Sequence, residues 1–226
     1  MKPLHIGMLI FPNMTALDFA APFELLSRLP GVKVHVLWKR IETVTSDIGG
    51  LYLPSLSLPD CPPLDVLFVG GGPGVNALME DADILTFLAQ QGAQARWITS
   101  VCTGALVLGA AGLLQGYRAT THWSALDILP LFGAIPEPTR TVQDQNRVSG
   151  GGVTAGLDFG LLLASLLCDA EEAQFQQLML EYNPQPPFHS GSPAQATSSV
   201  RERAEQVYST ITAERRVIAE RVVAGW

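Results

Sequence analysis

Cys102 lies in Thr99-Ser100-Val101-Cys102-Thr103-Gly104, where residues 96–100 read as a strand and residues 103–114 as an Ala- and Leu-rich helix. A thiol on a tight strand-to-helix turn faces the positive end of the helix dipole and free backbone N–H groups, both of which lower its pKa. The small residues Thr103, Gly104 and Ala105 let such a turn close. The result is a nucleophile elbow with cysteine in the place of serine. A cysteine that only fills core space is the competing reading of the same position. Cys61, ahead of Pro62 and Pro63, and Cys168, inside an apolar helix, read as packing cysteines.

Three further features could serve the thiol. Gly70-Gly71-Gly72-Pro73-Gly74 leaves the strand at residues 66–69, so Gly71 and Gly72 can turn N–H groups toward a ligand with no Cβ in the way. With the Thr103 N–H they could line an oxyanion pocket; alone, the cluster could equally be a tight turn. Asp18 stands in Ala16-Leu17-Asp18-Phe19, where a carboxylate among apolar neighbours is costly without a task or partner. A favourable place in the first turn of a helix is its plainer explanation. His122, in Thr120-Thr121-His122-Trp123, could pair with Cys102 or be a structural histidine near a strand end.

Those residues need a scaffold, and the apolar pattern describes one. Residues 4–11 form a near-continuous apolar run, as in a strand covered on both faces. A helix follows over residues 15–29, with Leu17, Ala21 and Leu25 in register and Pro22 awkward but tolerable. A strand at 32–37 carries Lys33 and His35 at alternate positions and so lies nearer a sheet edge. Residues 66–69, 96–100 and 148–154 read as further strands, and 84–91, 155–168 and 170–182 as helices. Alternating strands and helices predict an α/β fold: a three-layer α/β/α sandwich on a mostly parallel, flavodoxin-like central sheet. Ligands of such sheets sit beyond the carboxyl ends of the strands. The loops at 12–17, 70–74 and 102–104 all leave strands at that edge.

The chain has 226 residues, 47% of them hydrophobic and 15% charged, enough to bury a core without staples. Its net charge of −7 argues against a nucleic-acid partner. Four scattered histidines give no metal tract, and three widely spaced cysteines give no disulfide framework. No apolar run reaches bilayer length and no cleavable leader is visible, so no membrane association is expected and the cytoplasm is the expected compartment. Residues 1–182 read as one α/β domain. Residues 183–199 read as a Pro-, Ser- and Gly-rich arm, and 201–223 as an amphipathic helix with Ala204, Val207, Ile211, Ile218 and Val222 on one face. Glu214-Arg215-Arg216 interrupts that stripe, which is expected to pack on its own domain or on a dimer partner.

Together these segments resemble the PfpI-like branch of the class I glutamine amidotransferase-like superfamily, over most of residues 4–182. The resemblance rests on Asp18 after the first strand, the Gly-Gly-x-Gly turn, the Cys102 elbow and Arg118-Ala119-Thr120-Thr121-His122-Trp123. Longer runs resemble the isonitrile-hydrating members: Cys61-Pro62-Pro63-Leu64-Asp65-Val66, Leu108-Gly109-Ala110-Ala111-Gly112-Leu113-Leu114 and Gly150-Gly151-Gly152-Val153-Thr154-Ala155-Gly156. The tail motifs Leu180-Glu181-Tyr182-Asn183-Pro184 and Ser190-Gly191-Ser192-Pro193 extend that likeness. Protease-like members place Glu on the first helix and His after the cysteine, where this chain has Asp18 and Thr103; Gly70 stands where Pro is common.

The resemblance implies hydration of an isonitrile, R–NC, to an N-substituted formamide, in a homodimer; no organic cofactor or metal site is visible in the sequence, and none is expected. Cys102 would attack the terminal carbon and Asp18, holding a proton, would act as general acid and then handle water. Thr103, Gly71 and Gly72 would orient the thioimidate intermediate. A glyoxalase- or deglycase-type enzyme of the same fold, or a non-catalytic cysteine redox or ligand sensor, stays open as an alternative.

Overall fold

A computed structural model describes residues 3–226. The chain runs β1 (Leu4–Leu9), α1 (Ala16–Leu26), β2 (Val32–Trp38), β3 (Val44–Thr45), β4 (Leu51–Tyr52), β5 (Leu56–Ser57) and β6 (Val66–Val69). It continues through α2 (Val75–Leu78), α3 (Ala82–Gly92), β7 (Trp97–Val101), α4 (Gly104–Ala110), β8 (Arg118–Ala119), a 3-10 helix (Trp123–Phe132) and β9 (Ile135–Pro136). The last elements are β10 (Thr141–Asp144), β11 (Arg147–Gly150), α5 (Ala155–Leu167), α6 (Ala170–Met179) and α7 (Ser198–Ala224).

The central sheet has seven strands in the order β10-β11-β7-β6-β1-β2-β5. Every pairing in it is parallel except β10 with β11. Parallel strands need both faces covered, and every residue of β6 is accordingly buried. Helices α1 and α5 pack on each other, as do α3 and α4. The chain goes from β1 to β2 on one side, then returns to β6 on the other side of β1. This makes a topological switch point at the carboxyl ends of β1 and β6, the place where sheets of this kind take their ligands.

The expected α/β/α sandwich is therefore present, with the two-residue strands β3, β4, β5, β8 and β9 and the four-residue strand β10 added. Two-residue strands carry no periodicity that a sequence pattern could show. Helix α1 continues through Pro22, whose missing N–H leaves the Asp18 carbonyl without its partner along the helix. Strand β2 lies next to the edge strand β5, as its Lys33 and His35 suggested; Lys33 is exposed, while His35 is buried and stacked on His5.

Residues 180–197 contain no helix or strand, and α7 then crosses the domain, packing on the 3-10 helix, α2 and α4. Its expected stripe needs two corrections. Val207 is exposed and Tyr208 turns inward beside it. Arg215 does not interrupt the buried face; it is on it, buried together with Ala219. Among the described residues no helix is long and apolar enough to cross a membrane.

Candidate active site

β7 ends at Val101, and Cys102 adopts φ +56°, the left-handed conformation an elbow demands. A non-glycine residue held there is strained and must be over-determined by its surroundings. The Cys102 N–H donates to the Gly150 and Gly151 carbonyls at 3.0 and 2.8 Å, and its own carbonyl accepts the Thr121 hydroxyl at 2.8 Å. Helix α4 then starts at Gly104, where a Cβ would lie 2.1 Å from the Val69 carbonyl oxygen. Only glycine lets the elbow approach β6 so closely.

Asp18 comes from the first turn of α1 and is wholly buried. Two loops interlock to hold it. The Thr15 N–H donates to the Gly71 carbonyl at 2.9 Å, and the Gly71 N–H donates to Asp18 Oδ2 at 3.0 Å. Its other oxygen, Oδ1, has no partner among the described residues. The carboxyl faces the Cys102 thiol, and each alters the other's proton affinity. Burial pushes the Asp18 pKa up to about 7, against the thiol and the Gly71 N–H that favour the carboxylate; the charge of Asp47 adds to the rise.

The thiol contradicts the expectation drawn from its turn. Burial raises its pKa well above the ordinary value, the Asp18 charge raises it further, and the Thr103 N–H offsets only part of this. A seven-residue helix offers little against burial beside a carboxylate. The resting pair is thus a neutral thiol next to an acid poised near neutrality.

Gly71 and Gly72 also differ from their expected role. Their N–H groups are already engaged: Gly71 holds Asp18, and Gly72 donates to Thr103 Oγ1 at 3.1 Å. They position catalytic candidates, and neither N–H points free into a pocket. A Cβ on Gly71 would lie 2.5 Å from the Thr103 nitrogen, 2.7 Å from its hydroxyl and 2.9 Å from Asp18 Oδ2. Because Thr103 Oγ1 accepts from Gly72, its hydroxyl proton is left to donate elsewhere.

His122 makes no hydrogen bond to Cys102 among the described residues. It is nevertheless close by, adjacent to Thr121, with its ring against Gly152, Trp123 and Tyr208. The Ser124 N–H points at Nδ1, so Nδ1 must accept and the neutral ring carries its proton on Nε2. Burial, helped by the charge of Arg215, lowers the His122 pKa to about 4, which keeps the ring neutral. Cys61 and Cys168 are free, half-buried thiols, and burial raises Cys61 to about 11.

Arg215 was missed. Its guanidinium donates to the Gly72 carbonyl and to Asn76 Oδ1, both at 3.0 Å, directly behind the glycine loop. The available signal was spacing: Ile211, Arg215 and Ala219 recur every four residues along the buried face of α7.

The profile of the DJ-1/PfpI family matches residues 5–166. An isonitrile hydratase from Pseudomonas putida is 52% identical over 221 residues, 98% of this chain and 97% of that protein. The HTH-type transcriptional regulator GbdR from Pseudomonas aeruginosa is 31% identical over 170 residues, 72% of this chain and 46% of the regulator. A crystal structure of a ThiJ/PfpI family protein from Pseudomonas syringae superposes with a TM-score of 0.95 at 45% identity, covering 97% of this chain and 91% of that one.

Proposed function

The chain belongs to the DJ-1/PfpI family, and from that premise we propose that it is a hydro-lyase converting isonitriles, R–NC, into N-substituted formamides. The observation that carries this reading is the near full-length similarity to an isonitrile hydratase. The buried Asp18–Cys102 pair supports it, because the pair can supply the two proton transfers the reaction needs.

The Asp18 carboxylate takes the proton from the Cys102 thiol as the sulfur attacks the terminal isonitrile carbon. The carbon develops carbanion character and receives that proton back from Asp18. The product is a thioimidate, R–N=CH–S, with the elements of the thiol added across one carbon. A water molecule then adds to the same carbon, its proton passing through Asp18 to the nitrogen, to give R–NH–CH(OH)–S. Collapse of this tetrahedral species moves the hydroxyl proton through Asp18 to the departing cysteine sulfur, releases R–NH–CHO and restores the thiol and the carboxylate.

In this scheme the Thr103 hydroxyl donates to the thioimidate nitrogen or orients the water. His122, neutral and with Nε2–H free to donate, borders the substrate. Burial of the site keeps bulk water from protonating the carbanion-like carbon out of turn. The reading also takes the enzyme as a cytoplasmic homodimer: its cysteines are free, which suits a reducing compartment, and Phe175, Leu178 and Met179 on α6 leave large apolar side chains in solvent. Incubation with an aromatic isonitrile, followed by absorbance for the formamide, tests the function. Turnover is expected; no formamide from any of several aryl and alkyl isonitriles overturns it.

A further inference from the structure

Arg215 is only 3% exposed, and no carboxylate among the described residues forms an ion pair with it. The other arginines of the second half of α7 are paired: Arg216 with Asp127, and Arg221 with Glu80 at 2.9 Å. Arg215 instead spends its donors on two neutral acceptors, the Gly72 carbonyl and the Asn76 side-chain oxygen. A buried cation compensated only by neutral dipoles is costly, and it becomes favourable once a negative charge forms beside it.

The reacting sulfur is where such a charge must form. From α1, Asp18 faces the thiol and opposes its ionisation, as does burial. From the elbow itself, the Thr103 N–H favours it. From α7, Arg215 favours it, and Cys102 is foremost among the groups whose charge acts on Arg215 in return, ahead of Tyr208 and Glu214. His122, the remaining titratable group of this shell, is held neutral, and Asp47 acts on Asp18. Among the described residues, Arg215 is therefore the one cation whose charge acts on the thiol.

We infer that Arg215 is a positioning residue of the active site: its uncompensated guanidinium charge stabilises the Cys102 thiolate as it forms, so that α7 completes the catalytic machinery of the α/β domain. The work is divided. Asp18 moves the proton, and Arg215 answers the charge that its departure leaves on sulfur. The same fork fixes the Gly72 loop, whose N–H holds Thr103, so the residue also couples helix position to the elbow.

This inference rests on Cys102 being the nucleophile, and its test uses no isonitrile, so its failure is separable from failure of the hydratase reading. The pH dependence of Cys102 alkylation by iodoacetamide, read on the Cys102 peptide by mass, reports thiolate formation. Arg215→Gln keeps a hydrogen-bond donor without charge, and Arg215→Met removes both. Each is expected to raise the alkylation midpoint by about one pH unit or more, an approximately tenfold slower reaction at pH 7. Arg215→Lys is expected to return the midpoint most of the way to wild type. Should the neutral variants fail to fold, Asn76→Asp places a carboxylate on the guanidinium and is expected to raise the midpoint as well. An unmoved midpoint in any folded neutral variant, or in Asn76→Asp, overturns the inference. A Lys variant shifted as far as the Gln variant does so too, because charge is then not the agent.

Discussion

Asp18 raises the pKa of the Cys102 thiol, and that thiol lowers the pKa of Asp18. Two buried acids in this relation share one mobile proton, and their titrations belong to the pair. In the proposed reaction the productive resting form has the proton on sulfur and a carboxylate ready to receive it. A permanently ionised cysteine is unnecessary, which reconciles a strongly raised thiol pKa with a nucleophilic role.

The pH profile follows from this arrangement. With Asp18 near 7, the carboxylate form fills as pH rises through neutrality. kcat/KM for an isonitrile is expected to climb through an apparent pKa close to 7 and reach a plateau above it. A profile flat from pH 5 to 8 would show that Asp18 does not titrate in the reaction.

Stability should move the opposite way. Asp18 binds its proton more tightly folded than unfolded, because burial raises its pKa from 3.8 to about 7. The native state thus holds more protons between those values, and stability falls as pH rises through them. Asp18→Asn removes this penalty. It is expected to melt higher than wild type at pH 8, by roughly 2–4 °C per kcal/mol recovered, while losing about 10²–10⁴-fold in turnover. Thermal melts at pH 5 and 8 check the first claim: the gain must be larger at pH 8.

Gly71 is tested by a single methyl group. Gly71→Ala places a Cβ 2.5 Å from the Thr103 backbone nitrogen and 2.9 Å from the Asp18 side-chain oxygen Oδ2. Displacement of the elbow from Asp18 by about 1 Å is expected to cost on the order of 10²-fold in kcat. The mutant should fold, since the strain is local. Kinetics within twofold of wild type would mean that the loop gives way without moving the acid.

The sequence and the structure agree most closely where chemistry and pattern coincide. The Val66–Val69 strand was readable because four apolar residues end at a glycine turn, and the elbow because an apolar strand meets a helix of small residues. Asp18 was readable as a charge out of place. What could not be read was the balance of forces at Cys102. The helix dipole is a local feature, whereas burial and the facing carboxyl arise where the elbow after β7 meets the start of α1 and the glycine loop after β6. Arg215 was hidden for a similar reason: between Glu214 and Arg216 it looks like part of a solvated triplet, and only the four-residue spacing from Ile211 to Ala219 puts it on the buried side. Gly71 and Gly72 looked like ligand donors because their partners, Asp18 and Thr103, are 53 and 31 residues away along the chain.

The central claim is that Cys102 forms the bond to substrate. The most direct test is steady-state turnover of an aromatic isonitrile by Cys102→Ala beside wild type, with matched thermal melts to confirm folding. The account predicts a loss of at least about 10³-fold, because the thioimidate route is closed and unassisted water is a poor nucleophile toward the isonitrile carbon. A folded Cys102→Ala enzyme that keeps turnover within tenfold of wild type would contradict it.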